Sequence, residues 1–313
     1  MSLVGLIFAV FSILGSVFGA GFMSGTEIYG FFARFGSVGY ITIALNAVIF
    51  GIFVFIYGVK TAKNAVFCPE TQQKHHILYF CQLLITGTMV AGACEILVAF
   101  GVSAFWVHII VLCFVLICNL LGIKSANFFN CLVTMLAIVC FSFVAYDGSW
   151  QPLVWSEQSF MPLVMVMFYF IMNIASSEPI VKSVCREKSR KQIFWIGFVV
   201  CLFLAGIMYL LVGLVGDGSM PLISSIKKAS FQKVYSVVVM LAMVSTMLSS
   251  SVGAKRLFGF GNFYASFFVA ILSAIISFVG FRNMVLYVYP LIGLLLGINY
   301  ITRKINQFLH TKA

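Results

Sequence analysis

Residues 3–32 read LVGLIFAVFSILGSVFGAGFMSGTEIYGFF. As one unbroken helix this stretch would be about 45 Å long, against a bilayer hydrocarbon core of roughly 30 Å. It is largely apolar up to Leu14, and from there on carries Gly15, Gly19, Gly21, Gly25 and Gly30 together with Ser16, Ser24, Thr26 and Glu27. A glycine in a helix interior costs about 1 kcal/mol relative to alanine. An ionisable residue within an apolar span is expensive and by default functional. The stretch therefore predicts a first membrane span that unwinds in its middle. Glycines four apart, at 15/19 and 21/25, can instead form small-residue faces for close helix contact. That alternative covers Gly15 and Gly19 but leaves Ser24, Thr26 and Glu27 unexplained. The stretch also looks like a leader peptide, but no Lys or Arg precedes it and apolar character resumes as far as Phe32, so it is read as a span.

The remainder of the 313-residue chain has the same character, with 62% hydrophobic and 9% charged residues. An ordinary soluble domain is about half apolar and a quarter charged, so a soluble globular protein is excluded. The 34 Phe residues suit a lipid solvent better than water. The net charge of +11 does not point to nucleic acid, because the 19 Lys and Arg are scattered singly or in small clusters between apolar stretches. The nine Cys include no C-x2-C pair and lie mostly within apolar stretches, which reads as free, packed thiols.

Apolar runs between charges predict ten helical spans, at 3–32, 38–59, 77–101, 104–123, 126–146, 160–181, 192–216, 231–254, 263–281 and 284–302. The runs are too long and too uniformly apolar for the alternating strands of a membrane barrel. With the N-terminus inside, Arg34, Lys227, Lys228, Lys233 and Arg282 fall outside and the other fourteen Lys and Arg fall inside. The positive-inside rule then places both termini in the cytoplasm. One transmembrane domain, 1–313, is expected, without a soluble domain in the polar segments 60–76, 147–159, 182–191 and 217–230. The last of these, with Pro221, Leu222, Ile223 and Ile226, fits either a short amphipathic helix on the outer face or a plain loop.

Half a chain length beyond the first glycine-rich stretch stands a second polar interruption. Residues 169–179, YFIMNIASSEP, put Asn173, Ser176, Ser177, Glu178 and Pro179 in an apolar run, and proline removes a helix hydrogen bond. Disruptions in the first and sixth of ten spans are the sequence mark of an inverted-repeat secondary transporter. The halves would be 1–150 and 151–313, inverted because each holds an odd number of spans. Freed N–H groups at such breaks can hold an anionic group, and freed carbonyls a cation.

The run GAGFMSGTEIYGFF, residues 19–32, resembles the first-span signature of the YkvI-type membrane proteins, a G-x-GF-x-(S/T)-G-x-E pattern followed by aromatic residues. YFIMNIASSEP is similar to their sixth span. Where that family commonly has Gln before the Glu, this chain has Thr26. The family is related to the amino acid-polyamine-organocation transporters, so the resemblance implies the LeuT-type fold of five plus five helices in a bacterial cytoplasmic membrane. By that analogy Gly19, Ala20, Gly21 and Phe22 would meet a solute carboxylate, with Asn173, Ile174 and Ala175 completing the pocket. A sodium ion would lie between the carbonyls of Gly15 and Phe18 and hydroxyls of the eighth span at Ser249 and Ser250.

In that eighth span the pairs Ser245/Ser249 and Thr246/Ser250 line one helix face and suit sodium. Serine and threonine in membrane helices also bond their own helix's carbonyls, which is the competing account. Glu27, Glu95 and Glu178 are candidates for a coupling proton, Glu27 first because it stands at the break. Glu95 would face a water-filled path or another helix, and Glu178 would pair with Lys182. His108, His75 and His76 fit no ligand spacing, and no nucleophile or metal set marks an enzyme. Gly259, Phe260 and Gly261 lack the phosphate-loop pattern, which argues against an ATP-driven pump. The expected function is ion-coupled transport of a small organic solute, an amino acid or related amine, with sodium or a proton as coupling ion. The alternative is a solute-binding sensor similar to the membrane subunits of spore germinant receptors. The solute and the oligomeric state are not legible.

Overall fold

The computed structural model describes residues 3–63, 76–121, 123–150, 160–258 and 262–311. Most of the polar segments 60–76 and 147–159, together with His75 and the stretch from Gly259 to Gly261, lies outside the described residues; at Ala175, Pro179 and Ser249 only the backbone is described.

Among the described residues the chain is all-helical and has no named strand. The first stretch is divided into α1 (Leu3–Val17), α2 (Ala20–Met23) and α3 (Thr26–Phe31). There follow α4 (Ser37–Lys63), α5 (His76–Ala99), α6 (Ala104–Leu121), α7 (Ile123–Asp147), α8 (Met161–Cys185) and α9 (Arg190–Val212). The chain closes with α10 (Pro221–Ser225), α11 (Ala229–Ala254), α12 (Asn262–Ser277), α13 (Phe281–Asn283) and α14 (Tyr289–Thr311). Each expected apolar run is thus helical. Among the described residues six helices are long and apolar enough to cross a membrane, within α4, α5, α8, α9, α11 and the α13–α14 run, and four shorter apolar helices lie in α1, α6, α7 and α12.

Local chemistry sets several of the ends. At α9 the Ser189 hydroxyl accepts from the Gln192 N–H while Gln192 Oε1 accepts from the Ser189 N–H, a reciprocal cap on the basic 182–191 turn. Gly280, at φ +86°, starts α13, whose first N–H, from Phe281, is taken by Glu95 Oε1 at 3.1 Å. Glu95 is therefore a cap across helices. Between α13 and α14 the helix widens into a π turn, Met284–Val288. Pro290, without an N–H and with a ring that crowds the carbonyl four residues back, accounts for that widening.

The exterior is apolar, with Phe8, Ile41, Ile56, Phe143, Phe278 and Tyr264 exposed, while Ser24, Thr26, Glu27, Asn46, Thr86, Asn173, Ser251 and Ser273 are buried. Such a distribution fits a bilayer environment, where lipid tails accept the aromatic surface and polar groups face one another. In the interior α4 packs on α9 and α8, α5 on α11 and α12, and α8 on α14. α1 packs on α7, α8 and α9, α6 on α11 and α12, and α7 on α11.

One expectation fails here. The sixth span is not broken: α8 runs unbroken from Met161 to Cys185, through Pro179. Its polar side chains satisfy themselves on their own helix, Asn173 Nδ2 donating to Tyr169 O at 2.9 Å and Ser177 Oγ to Asn173 O at 2.6 Å. Hydroxyls and amides that bond back in this way remove the need to unwind.

Candidate functional site

The discontinuity of the first span has two joints. At the first, Gly19 is extended (φ −67°, ψ 176°) and its N–H turns to Val17 O at 2.8 Å. Gly15 O, the acceptor a continuing helix would have offered it, is left without that donor. The N–H groups of Ala20, Gly21 and Phe22 have no backbone acceptor among the described residues. At the second joint Gly25 takes φ +84° against Leu222 and Val215, a left-handed conformation that favours glycine.

The second joint is sealed by protein groups. Ser24 Oγ donates to Gly21 O at 2.9 Å, Tyr235 Oη to Met23 O at 2.6 Å, and the Leu222 N–H to Ser24 O at 3.0 Å. Thr26 Oγ1 donates to Ser219 O at 2.6 Å. The segment 217–230, expected as either a short amphipathic helix or a plain loop, contains the short helix α10, whose Pro221 and Leu222 are buried, Leu222 against Gly25. The freed carbonyls at this joint are therefore satisfied internally.

Beside the joints lies a buried polar cluster. The Glu27 side chain folds over Gly21, where an added β-carbon would stand 2.8 Å from its carboxyl carbon. Tyr169 and Asn173 of α8 and Tyr289 at the start of α14 are buried with it, Tyr169 interacting with both Glu27 and Asn173, and Tyr289 with Glu27. Tyr169 Oη is fully buried and has no partner at bonding distance among the described residues. Phe31 and Phe32 enclose the Tyr169 ring at centroid distances of 5.0 and 5.2 Å. Gly30 admits the π turn, since a β-carbon there would stand 2.7 Å from Leu286 Cδ2. Among the described residues no basic side chain interacts with Glu27, so its negative charge would be uncompensated in an apolar surround.

Phe22 is buried and packs on Phe18 (4.6 Å) and Phe141 (5.9 Å). Ser176 Oγ donates to Ser16 O at 3.4 Å, which joins the polar part of α8 to the end of α1. Ile174 is half-buried on the same turn of α8. The side chains of Ala175 and Ser249 lie outside the description.

The α11 hydroxyls divide. Thr246 faces the first joint, with Oγ1 at 3.9 Å from a β-carbon built on Gly19, and it donates to Ala242 O at 3.0 Å. Ser245 is buried. Ser250 bonds Thr246 O at 2.7 Å and Thr86 Oγ1 of α5 at 2.9 Å. It is thus engaged by α5, while the side chain of Ser249, expected beside it at the sodium ion, is outside the described residues. Glu178 accepts from the Tyr57 hydroxyl at 2.6 Å and so ties α8 to α4.

Tyr169 and Tyr289 are the participants that the sequence reading missed. Tyr169 was within sight, because it opens the quoted 169–179 run and precedes Asn173 by one helical turn. Tyr289 had only Pro290 beside it as a signal. In comparisons with known proteins, no family model and no curated protein matches the chain.

Proposed function

We propose that the chain is an ion-coupled secondary transporter of a small organic solute, an amino acid or related amine, working by alternating access. The observation that carries the reading is the doubly jointed first span, which holds a buried carboxylate at Glu27 against α8 and α14. A carboxylate so placed stays neutral by holding a proton or recruits a cation, and a change of neighbours would release either one. Freed N–H groups at Ala20, Gly21 and Phe22 supply polar contacts beside it.

The packing supports two inverted five-helix repeats of the LeuT type. Take the first five as α1 with its extensions, α4, α5, α6 and α7, and the last five as α8, α9, α11, α12 and the α13–α14 run. Exchanging one set for the other turns the pairing α1·α7 into α8·α14, α4·α8 into α9·α1, α5·α12 into α11·α6, and α7·α11 into α14·α5. The pairings α4·α9, α5·α11, α1·α8 and α6·α12 map onto themselves. Repeats of that kind carry their substrates at the interface between the halves, which is where the first-span break stands. The likeness to YkvI-type proteins and the cytoplasmic placement of both termini belong to the same proposal.

The test is reconstitution into liposomes, with uptake of labelled amino acids and amines followed under an imposed proton or sodium gradient. Accumulation of one of them that is driven by a gradient, and abolished in a folded Glu27→Gln variant, is the expected result. Saturable binding with no accumulation under either gradient would overturn transport in favour of a sensor.

A further inference from the structure

We infer that α5, α11 and α12 enclose a sodium-type cation site built from the side-chain oxygens of Thr86, Ser250, Ser251 and Ser273, with Gln82 one turn away. This rests on the ion-coupled reading above only for its role, since the site itself follows from the packing.

The starting point is a habit of this protein's hydroxyls. Thr88 donates to Leu84 O, Ser236 to Gln232 O, Thr246 to Ala242 O, Ser250 to Thr246 O and Ser277 to Ala274 O, each on its own helix at 2.7–3.0 Å. Ser251 and Ser273 depart from it. Both are fully buried, and neither Oγ has a partner among the described residues. Gln82 Oε1 is likewise buried and unpartnered. Buried polar atoms in folded proteins almost always have partners, and the exceptions mark an ion, a water or a working group.

The three orphaned oxygens belong to helices that pack around one seam. Leu83 of α5, Ala254 of α11 and Val269 of α12 form a closed apolar layer. Gln82 lies over Gly253 and Thr86 bonds Ser250, so α5 and α11 run antiparallel. Gly87 faces the Ser273 carbonyl, with a built β-carbon 3.4 Å from it, so α5 and α12 run parallel. One turn along from the apolar layer therefore brings Thr86, Ser251 and Ser273 to a common level. Ser251 precedes Ala254 by three residues, Ser273 follows Val269 by four, and Thr86 follows Leu83 by three. Ser250 is already bonded to Thr86, which supplies a fourth oxygen.

The ligand chemistry is narrow. Every group is a neutral oxygen, the donor type that hard cations take. Neutral oxygen dipoles are enough to replace the hydration shell of a monovalent ion. The set holds no group that would itself titrate, so it does not suit a proton. Among the described residues no cluster of His, Cys, Asp or Glu is present to favour a transition metal. The basic residues nearest in sequence, Lys255 and Arg256, follow Ala254 past the end of α11. The seam is separate from Glu27, which is gathered by α8 and α14.

The experiment is thermal unfolding of the full, detergent-purified chain in sodium chloride and in choline chloride at equal ionic strength. Sodium should raise the midpoint in a concentration-dependent manner, because a ligand of the folded state stabilises it. In the double variant Ser251→Ala, Ser273→Ala that sodium response should be lost. Its midpoint in choline should not fall, because the removed hydroxyls had no partners. Glu27→Gln should keep the response. No sodium-specific shift in the wild type, or an undiminished shift in the double variant, overturns the site. Gradient-driven uptake without a sodium shift overturns the seam while transport stands; a sodium shift without any uptake leaves the seam and removes transport.

Discussion

Glu27 lays its carboxyl group over the backbone of Gly21, in the volume that a β-carbon would need. The two residues belong to the two short helices that follow the first joint, so the break and the buried charge are one piece of construction. A continuous helix would not bring them together in this way.

Gly21→Ala is therefore expected to lower stability by about 1–3 kcal/mol, the range for forcing an extra carbon into a packed interior. Glu27→Ala in the same chain should return most of that loss, because the atoms that the new methyl meets are gone. A double-mutant cycle on thermal midpoints reads the coupling. Strict additivity of the two changes would contradict the contact.

Gly25→Ala should cost at least about 1–2 kcal/mol for its left-handed backbone, with a further loss from crowding against Leu222 and Val215. Gly218→Ala, whose β-carbon would meet only Ser224 Oγ at 3.9 Å, is the control in the same segment between α9 and α11 and should stay within about 0.5 kcal/mol. Equal effects in the two variants would mean that α10 is not seated on the break.

Tyr235→Phe removes the hydroxyl that caps Met23 O and should cost about 1–3 kcal/mol, the price of a buried carbonyl left without its donor. Amide hydrogen exchange across the second joint should accelerate at the same time. Tyr209→Phe removes a bond to Tyr40 O at the exposed surface and is expected to have a smaller effect, since water can replace it.

Arg282 and Asp217 form an ion pair between α13 and the segment after α9, but their side chains are 41% and 64% exposed. Arg282→Ala should change stability by less than about 1 kcal/mol. The difference from wild type should shrink further in about 1 M salt, where the screening length is roughly 3 Å. A loss that persists at high salt would assign Arg282 a packing role instead.

The contrast between the first and sixth spans shows what a polar run in an apolar stretch can and cannot say. Residues 3–32 were too long for one crossing and rich in glycine, and they do break. Residues 169–179 carried as many polar groups and a proline, yet α8 continues through them. The difference is that Asn173 and Ser177 reach carbonyls of their own helix, whereas Ser24 and Thr26 serve a chain already turned by Gly25. Polar composition records that hydrogen bonds must be made; it does not record whether the helix itself makes them. The same ambiguity holds on α11, where Ser250 finds Thr86 on α5, a pairing that no helix-face spacing on α11 could reveal.

What the sequence by itself determined is the all-helical, membrane-type character, the helical runs and the first-span break. All three follow from local quantities: apolar length against bilayer thickness, and the backbone freedom of glycine. What only the tertiary structure decided is which polar groups meet. Glu27 faces Tyr169 and Tyr289, α10 turns inward to cover Ser24 and Gly25, and Ser250 meets Thr86 across α11 and α5. These meetings depend on the rotation and depth at which separate helices pack, and a chain whose exposed and buried faces are both largely apolar carries little periodic signal from which to read either.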